Sequence, residues 1–267
     1  MNNVFDFKRF GNYFLYDLRR AKNNYWISLL LMGLMPVALY IICQFFSLIT
    51  GNGVTDLSDV LKFDAVFVSI VAVMLGAGTK IYGKITEKQS GSDYLMLPAS
   101  TFEKWLSMVL VVCIVLPLVL FALMFVSDGF MSLVFPNSYG DRILSFDFAR
   151  GLIEEMMNEE GFYFNMPAVL FLDWCETLLI FTLGAVCFKK SKVAKTLLCL
   201  FAFGMVITPL MFLFLGTTSI DNDWIIEHFT DPDKALAMVN WTLSIVYTVM
   251  IGGLLAGLYF RLRTLKH

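Results

Sequence analysis

Apolar residues in this chain are gathered into six runs of roughly 20 residues each, and this pattern constrains the fold more than any other feature. A helix of that length spans the ~30 Å hydrocarbon core of a bilayer. The chain of 267 residues is 58% hydrophobic and 16% charged, whereas soluble domains are about half apolar and a quarter charged. The pattern predicts an all-α membrane protein whose six transmembrane helices lie at about residues 26–48, 60–82, 105–126, 167–188, 196–215 and 239–260.

Basic residues alternate along the chain in a way that predicts its orientation. All but four of the 20 lysines and arginines lie in, or at the edge of, one alternating set of segments. This set consists of residues 1–25, 83–104, 189–195 and 261–267. The exceptions are Lys62, Arg142, Arg150 and Lys234. Because cytosolic loops of membrane proteins are rich in Lys and Arg, we expect six spans with both termini in the cytosol. Residues 26–267 then form one transmembrane domain, with a cytosolic loop at 83–104 and acidic outer segments at 127–166 and 216–238.

The N-terminal segment 1–25 precedes the first apolar run and has helical periodicity. Phe7, Phe10, Phe14 and Leu18 share one face of a helix, and the arginines lie elsewhere. A basic, aromatic amphipathic helix is typical of the membrane–water interface, and a disordered basic arm is the alternative. No cleavage motif follows the first run, so we expect that run to remain a membrane helix.

Motifs for catalysis or nucleotide binding are missing from the sequence. It contains no GxxxxGK[ST], no HExxH, no GxSxG and no paired Cys/His cluster. The five cysteines all lie in apolar runs, which favours free thiols acting as small apolar residues. We therefore expect no enzymatic activity, metal or cofactor in this chain and no nucleic-acid partner. ATP, if used, must be hydrolysed by another chain.

Two acids in the fourth run are candidates for a substrate pathway. Asp173 and Glu176 are spaced i, i+3 and therefore share a helix face. Ionisable groups within a membrane are costly and often functional. The alternative is that they line a solvated vestibule or pair with a neighbouring helix.

Gly253 and Gly257 form a GxxxG pattern in the sixth run. Small residues at this spacing permit close approach of two membrane helices. They are candidates for a helix–helix or subunit contact.

The cytosolic loop 83–104 places a cluster of apolar residues in a polar setting. Tyr94, Leu95, Met96 and Leu97 follow one another directly and precede Pro98. Apolar residues exposed on a cytosolic face indicate a docking surface, such as a short helix that enters a partner's groove. The alternative is a loop that packs against its own bundle.

The same loop resembles a known family. An acid, a glycine four residues later, leucines, Pro-x-Ser and a lysine are similar to the loop between the second and third spans of type-2 ABC exporter permeases. The matching positions are Glu87, Gly91, Leu95, Leu97, Pro98, Ser100 and Lys104. Two departures are Thr86, where an arginine often precedes the family's acid, and the long outer segment 127–166.

The resemblance implies a permease subunit of an ATP-driven exporter in the bacterial inner membrane. Its coupling helix would contact a separate ABC ATPase, which binds ATP and Mg, through Glu87, Gly91 and the five residues Tyr94, Leu95, Met96, Leu97 and Pro98. A second permease subunit, identical or not, and membrane lipid would complete the assembly. The alternatives are a sensor or assembly protein that binds partners through its outer acidic segments, and an ion-coupled transporter using Asp173 and Glu176. Ion-coupled transporters often contain inverted repeats, and none is visible here.

Overall fold

The computed structural model describes residues 5–51, 53–54, 56–87, 91, 94, 96–145, 150, 166–217 and 232–265. Within them the chain forms helices and no strands, so the predicted all-helical fold is confirmed. The helices are α1 Phe7–Gly33, α2 Met35–Ile49, α3 Asp59–Tyr82, α4 Thr101–Leu110, α5 Leu116–Val134, α6 Pro136–Tyr139, α7 Met166–Cys187, α8 Lys192–Thr217 and α9 Pro232–Thr264. A 3₁₀ turn, Gly83–Thr86, follows α3, and a π-helical turn, Val111–Val115, joins α4 to α5.

Four helical stretches in the described residues are long and apolar enough to cross a membrane. They are Asp59–Thr86, Thr101–Val134, Lys192–Leu210 and Trp241–Thr264. If the bent pair α1–α2 is counted as one further span, the described residues contain five candidate spans. These helices agree with an integral membrane protein. The fourth predicted span coincides with α7, and the total of six spans remains a prediction.

The first helix differs from the prediction because it does not end at residue 25. A buried stripe at four-residue spacing runs through the predicted boundary and includes Tyr13, Asp17, Tyr25 and Leu29. No glycine or proline interrupts it there, so α1 continues to Gly33. The chain then bends by 48° into α2, where Pro36 lacks the N–H that a continuous helix requires.

A partner on α5 stabilises this bend. The hydroxyl of Ser127 donates a hydrogen bond of 2.7 Å to the Gly33 carbonyl, which lies at the end of α1 where helical carbonyls lack partners within the helix. The bend is therefore held by tertiary contact as well as by Pro36.

The core of the bundle lies where α3 meets α7. Both helices contribute buried apolar side chains to the core, and α7 also packs against α8 and α9. A Cβ atom added to Gly78 would lie 2.8 Å from the Cα atom of Thr182. The two backbones can approach this closely because residue 78 has no side chain.

The first eight residues of the predicted outer segment 127–166 continue α5, and residues 135–145 pack onto the ends of α2, α3 and α5. Lys62 is buried, donates to Asp59 at 2.8 Å and to the Asp141 carbonyl at 3.1 Å, and lies over the Tyr139 ring. Tyr139 donates a 2.6 Å hydrogen bond to Asp128. These contacts hold the chain against the helix ends as far as Asp141. Residues 146–149, 151–165 and 218–231 lie outside the described residues, and so do the predictions that fall on them.

Candidate functional site

The start of the loop 83–104 is fastened to the junction between α7 and α8. The Lys192 ammonium group donates hydrogen bonds to the Gly83 carbonyl and, at 2.9 Å, to the Thr86 hydroxyl. The Thr86 hydroxyl in turn donates to the Gly83 carbonyl at 2.9 Å. Gly83 and Thr86 are both buried. The end of α3 therefore cannot move freely with respect to the start of α8.

The far end of the loop is fastened to α1 through the first turn of α4. Ser100 and Glu103 form a capping box, in which the Glu103 N–H donates to the Ser100 hydroxyl and the Ser100 N–H donates to the Glu103 carboxylate. The same carboxylate accepts two hydrogen bonds of 2.8 Å from Arg9 and one of 2.9 Å from the Asp6 N–H. Glu103 is fully buried. Because charge-assisted bidentate pairs are strong and directional, α1 and α4 are held in register.

Between these two ends, Tyr94 lies inside the bundle. Its side chain is 3% exposed, and its ring is 5.5 Å from the Arg20 guanidinium carbon and 5.1 Å from the Lys104 nitrogen. The Lys104 ammonium group also donates to the Tyr94 carbonyl at 2.8 Å. Burial raises the pKa of the Tyr94 phenol above its usual value, so the hydroxyl stays neutral.

A buried acid that the sequence analysis did not single out lies next to Tyr94. Asp17 is fully buried, and its Oδ2 atom accepts hydrogen bonds from Tyr82 at 2.8 Å and from Ser107 at 2.7 Å. Its Oδ1 atom has no hydrogen-bond partner within the described residues. Asp17 therefore joins α1, the end of α3 and α4 through one carboxylate. The sequence did contain a sign that Asp17 is buried: it lies four residues from both Tyr13 and Ala21, which belong to the buried stripe of α1.

The predicted docking residues divide into two groups. Glu87, Met96 and Pro98 are exposed, with Met96 81% exposed. Gly91 and Tyr94 are buried, and Leu97 is half-buried against the core. Leu95 lies outside the described residues. Tyr94 therefore packs against its own bundle, as the alternative predicts. Glu87, Met96 and Pro98 are exposed and accessible to a partner.

The acid pair on α7 faces α9. Asp173 is exposed and Glu176 is half-buried, and Tyr247 on α9 lies within electrostatic range of both. A separate apolar recess of about 510 Å³ opens beside the π-helical turn. Its wall includes Cys113, Phe171 and Trp174 but neither acid. The acids and this apolar recess therefore lie on different faces of α7.

The two glycines of the GxxxG pattern have different surroundings. A Cβ atom at Gly257 would lie 3.7 Å from Leu183 on α7, whereas one at Gly253 would meet nothing within 4 Å. Gly257 thus lies against its own bundle, and Gly253 is the position open to another molecule. Its role as a subunit contact remains a prediction.

No protein-family model, curated protein or solved structure matches this chain.

Proposed function

We propose that this chain is the membrane-spanning permease subunit of an ATP-driven ABC exporter. An interfacial N-terminal segment precedes six transmembrane helices, and both termini are cytosolic in a bacterial inner membrane. A separate ATPase subunit binds ATP and Mg and docks on the loop 83–104. A second permease subunit, identical or not, completes the pathway for a substrate that is still to be identified.

The observation that supports this proposal is that the loop 83–104 has exposed apolar residues and firmly held ends. A simple surface loop requires only turn residues and solvation. Here Met96 and Pro98 are exposed, while Lys192 fastens one end of the loop to α8 and the Arg9–Glu103 pair fastens the other to α1. A partner that pushes on the exposed residues would therefore move several membrane helices together. This mechanical connection is what a subunit without its own nucleotide site needs.

Co-purification tests the proposal. The chain is co-expressed with the ATP-binding-cassette ATPase encoded nearest to its gene and purified in a mild detergent, and the dissociation constant of the complex is measured. We expect Met96→Asp to weaken binding at least about tenfold, because it places a charge in an apolar contact. Val54→Asp is the matched control, since Val54 is 72% exposed in an outer loop.

Two results would contradict the proposal. One is complete separation of the wild-type chain from the ATPase during purification. The other is an equal effect, or no effect, of the substitutions at positions 96 and 54, because docking on the cytosolic loop requires them to differ.

Ion-coupled transport is a second candidate, and the position of Tyr247 beside Asp173 and Glu176 favours it. In that case the carboxylates would bind the coupling ion. Replacing both by amides should leave ATPase binding and ATP-driven movement intact if the ABC proposal is right. Loss of a sodium- or proton-driven flux in proteoliposomes on Asp173→Asn would instead support the second candidate.

A further inference from the structure

We propose that Tyr94 is a positioning residue that transmits movement of the cytosolic loop to α1, and not a contact for the ATPase. This inference rests on the proposed function. We call the charged and polar groups that interact with Tyr94 the Tyr94 socket; it comprises Tyr13, Asp17 and Arg20 of α1 together with Lys104 of α4.

The placement of Tyr94 separates it from the docking residues. Met96, two residues further along, is 81% exposed, whereas Tyr94 is 3% exposed. The Lys104 ammonium group donates to the Tyr94 carbonyl and also lies over the Tyr94 ring. The Arg20 guanidinium group lies over the same ring. Both the backbone and the side chain of Tyr94 are thus bound to the bundle, so the loop cannot be displaced without disturbing the socket.

The base of the socket joins three helices. Asp17 accepts hydrogen bonds from Tyr82 at the end of α3 and from Ser107 on α4. Tyr94 itself is bound to Lys104 of α4 and lies under Arg20 of α1. A movement that withdraws Tyr94 would therefore act on α1 and α4, and through Asp17 on the end of α3, at the cytosolic end of the predicted spans. The loop tip and this junction of three helices are connected through one side chain.

The socket also contains the groups for a second arrangement. Arg20 lies over the Tyr94 ring and is close enough to Asp17 for electrostatic attraction. The Oδ1 atom of Asp17 has no hydrogen-bond partner within the described residues. Withdrawal of Tyr94 would leave Arg20 free to pair with this oxygen. The socket would then have two discrete arrangements, as an element that couples two sites requires.

The test measures ATPase binding and ATP-driven movement separately. The wild-type complex with the same ATPase is placed in nanodiscs, and an environment-sensitive fluorophore is attached to V54C on the outer side, after the exposed cysteines Cys187 and Cys199 have been replaced by alanine. ATP with vanadate then traps the closed ATPase. The fluorescence change reports whether closure on the cytosolic side reaches the outer side.

We expect Tyr94→Ala to bind the ATPase within about twofold of wild type but to lose at least about four-fifths of the fluorescence change. Tyr94→Phe should recover most of the change, because it keeps the ring between Arg20 and Lys104. Met96→Asp should show the opposite behaviour: weak binding, but a normal change at saturating ATPase. Should Tyr94→Ala fold poorly, Arg20→Gln provides a second variant, since it removes the cation over the ring and is also expected to reduce the change.

The outcomes separate this inference from the proposed function. A normal fluorescence change in Tyr94→Ala or in Arg20→Gln would overturn the inference alone. Weakened ATPase binding in Tyr94→Ala, equal to that of Met96→Asp, would also overturn it, because Tyr94 would then be a docking contact. Failure of the wild-type chain to bind the ATPase would overturn the proposed function, and this inference with it.

Discussion

Single side chains determine how the loop 83–104 joins the bundle. The capping box of Ser100 and Glu103 satisfies backbone N–H groups at the start of α4, and Glu103 simultaneously holds Arg9 of α1. Helix caps and charged pairs are usually separate features, and here one carboxylate provides both. A small change at this turn therefore affects both the helix and the contact with α1.

The first prediction concerns removal of the Ser100 cap of α4. Ser100→Ala should lower the free energy of unfolding by about 1 kcal/mol, because the Glu103 N–H loses its acceptor. Ser58→Ala is the matched control, since Ser58 caps α3 through an exposed contact of 3.5 Å, and we expect a smaller loss there. Reversible unfolding in mixed detergent micelles measures both values. Equal losses would show that the capping box adds nothing.

The buried phenol of Tyr94 gives a prediction about pH. Its pKa is raised above the usual 10.0 because burial disfavours the charged form. The folded chain therefore holds a neutral phenol. The free energy of unfolding is unaffected by this group below about pH 10. It falls progressively as the pH rises above that value, because the phenol then ionises in the unfolded chain but not in the folded chain. Tyr94→Phe should lose less stability than wild type between pH 9 and about pH 11. Parallel pH profiles of the two proteins would contradict this prediction.

At the scale of elements, the contact between α3 and α7 depends on one glycine. Gly78 allows the two backbones to approach, and the hypothetical Cβ atom at this position would lie 2.8 Å from both the Cα and the Oγ1 atom of Thr182. Backbone atoms cannot move aside as the end of a flexible side chain can. The helices must therefore separate if a side chain is introduced.

We expect Gly78→Ala to destabilise the protein by about 1–3 kcal/mol through overpacking. Gly204→Ala is the matched control on α8, where a Cβ atom would meet nothing within 4 Å. There we expect no loss and a gain of up to about 1 kcal/mol, since alanine is the better helix former. The same unfolding measurement tests both, and a stable Gly78→Ala protein would show that the two helices can separate at little cost.

At the scale of the whole molecule, α8 and α9 bury little of their surface within the chain. Most described side chains in the middle of both helices are exposed, including Phe201 on α8 and Trp241 on α9. In a membrane these surfaces contact lipid or a second subunit. The open position of Gly253 makes the outward face of α9 the place where a predicted subunit contact can be tested.

Gly253→Leu should lower the dimer fraction if this face is a subunit contact, because leucine prevents close approach of two helices. Gly204→Leu is the control, since Gly204 is equally open on α8. Light scattering after size-exclusion chromatography in detergent measures the oligomeric state. An unchanged dimer fraction in Gly253→Leu would remove Gly253 from the candidate contacts and leave the proposed transport function in place.

The sequence by itself determined the class of fold, because the transfer of apolar residues into a bilayer depends on composition along the chain and not on long-range contacts. It also identified the loop 83–104 as unusual. Only the tertiary structure decided that Tyr94 faces inward while Met96 faces outward, and that Asp17 joins three helices. Burial at these positions depends on partners distant in sequence, such as Ser107, which lies 90 residues from Asp17. No local pattern shows which of two neighbouring apolar residues will find such a partner.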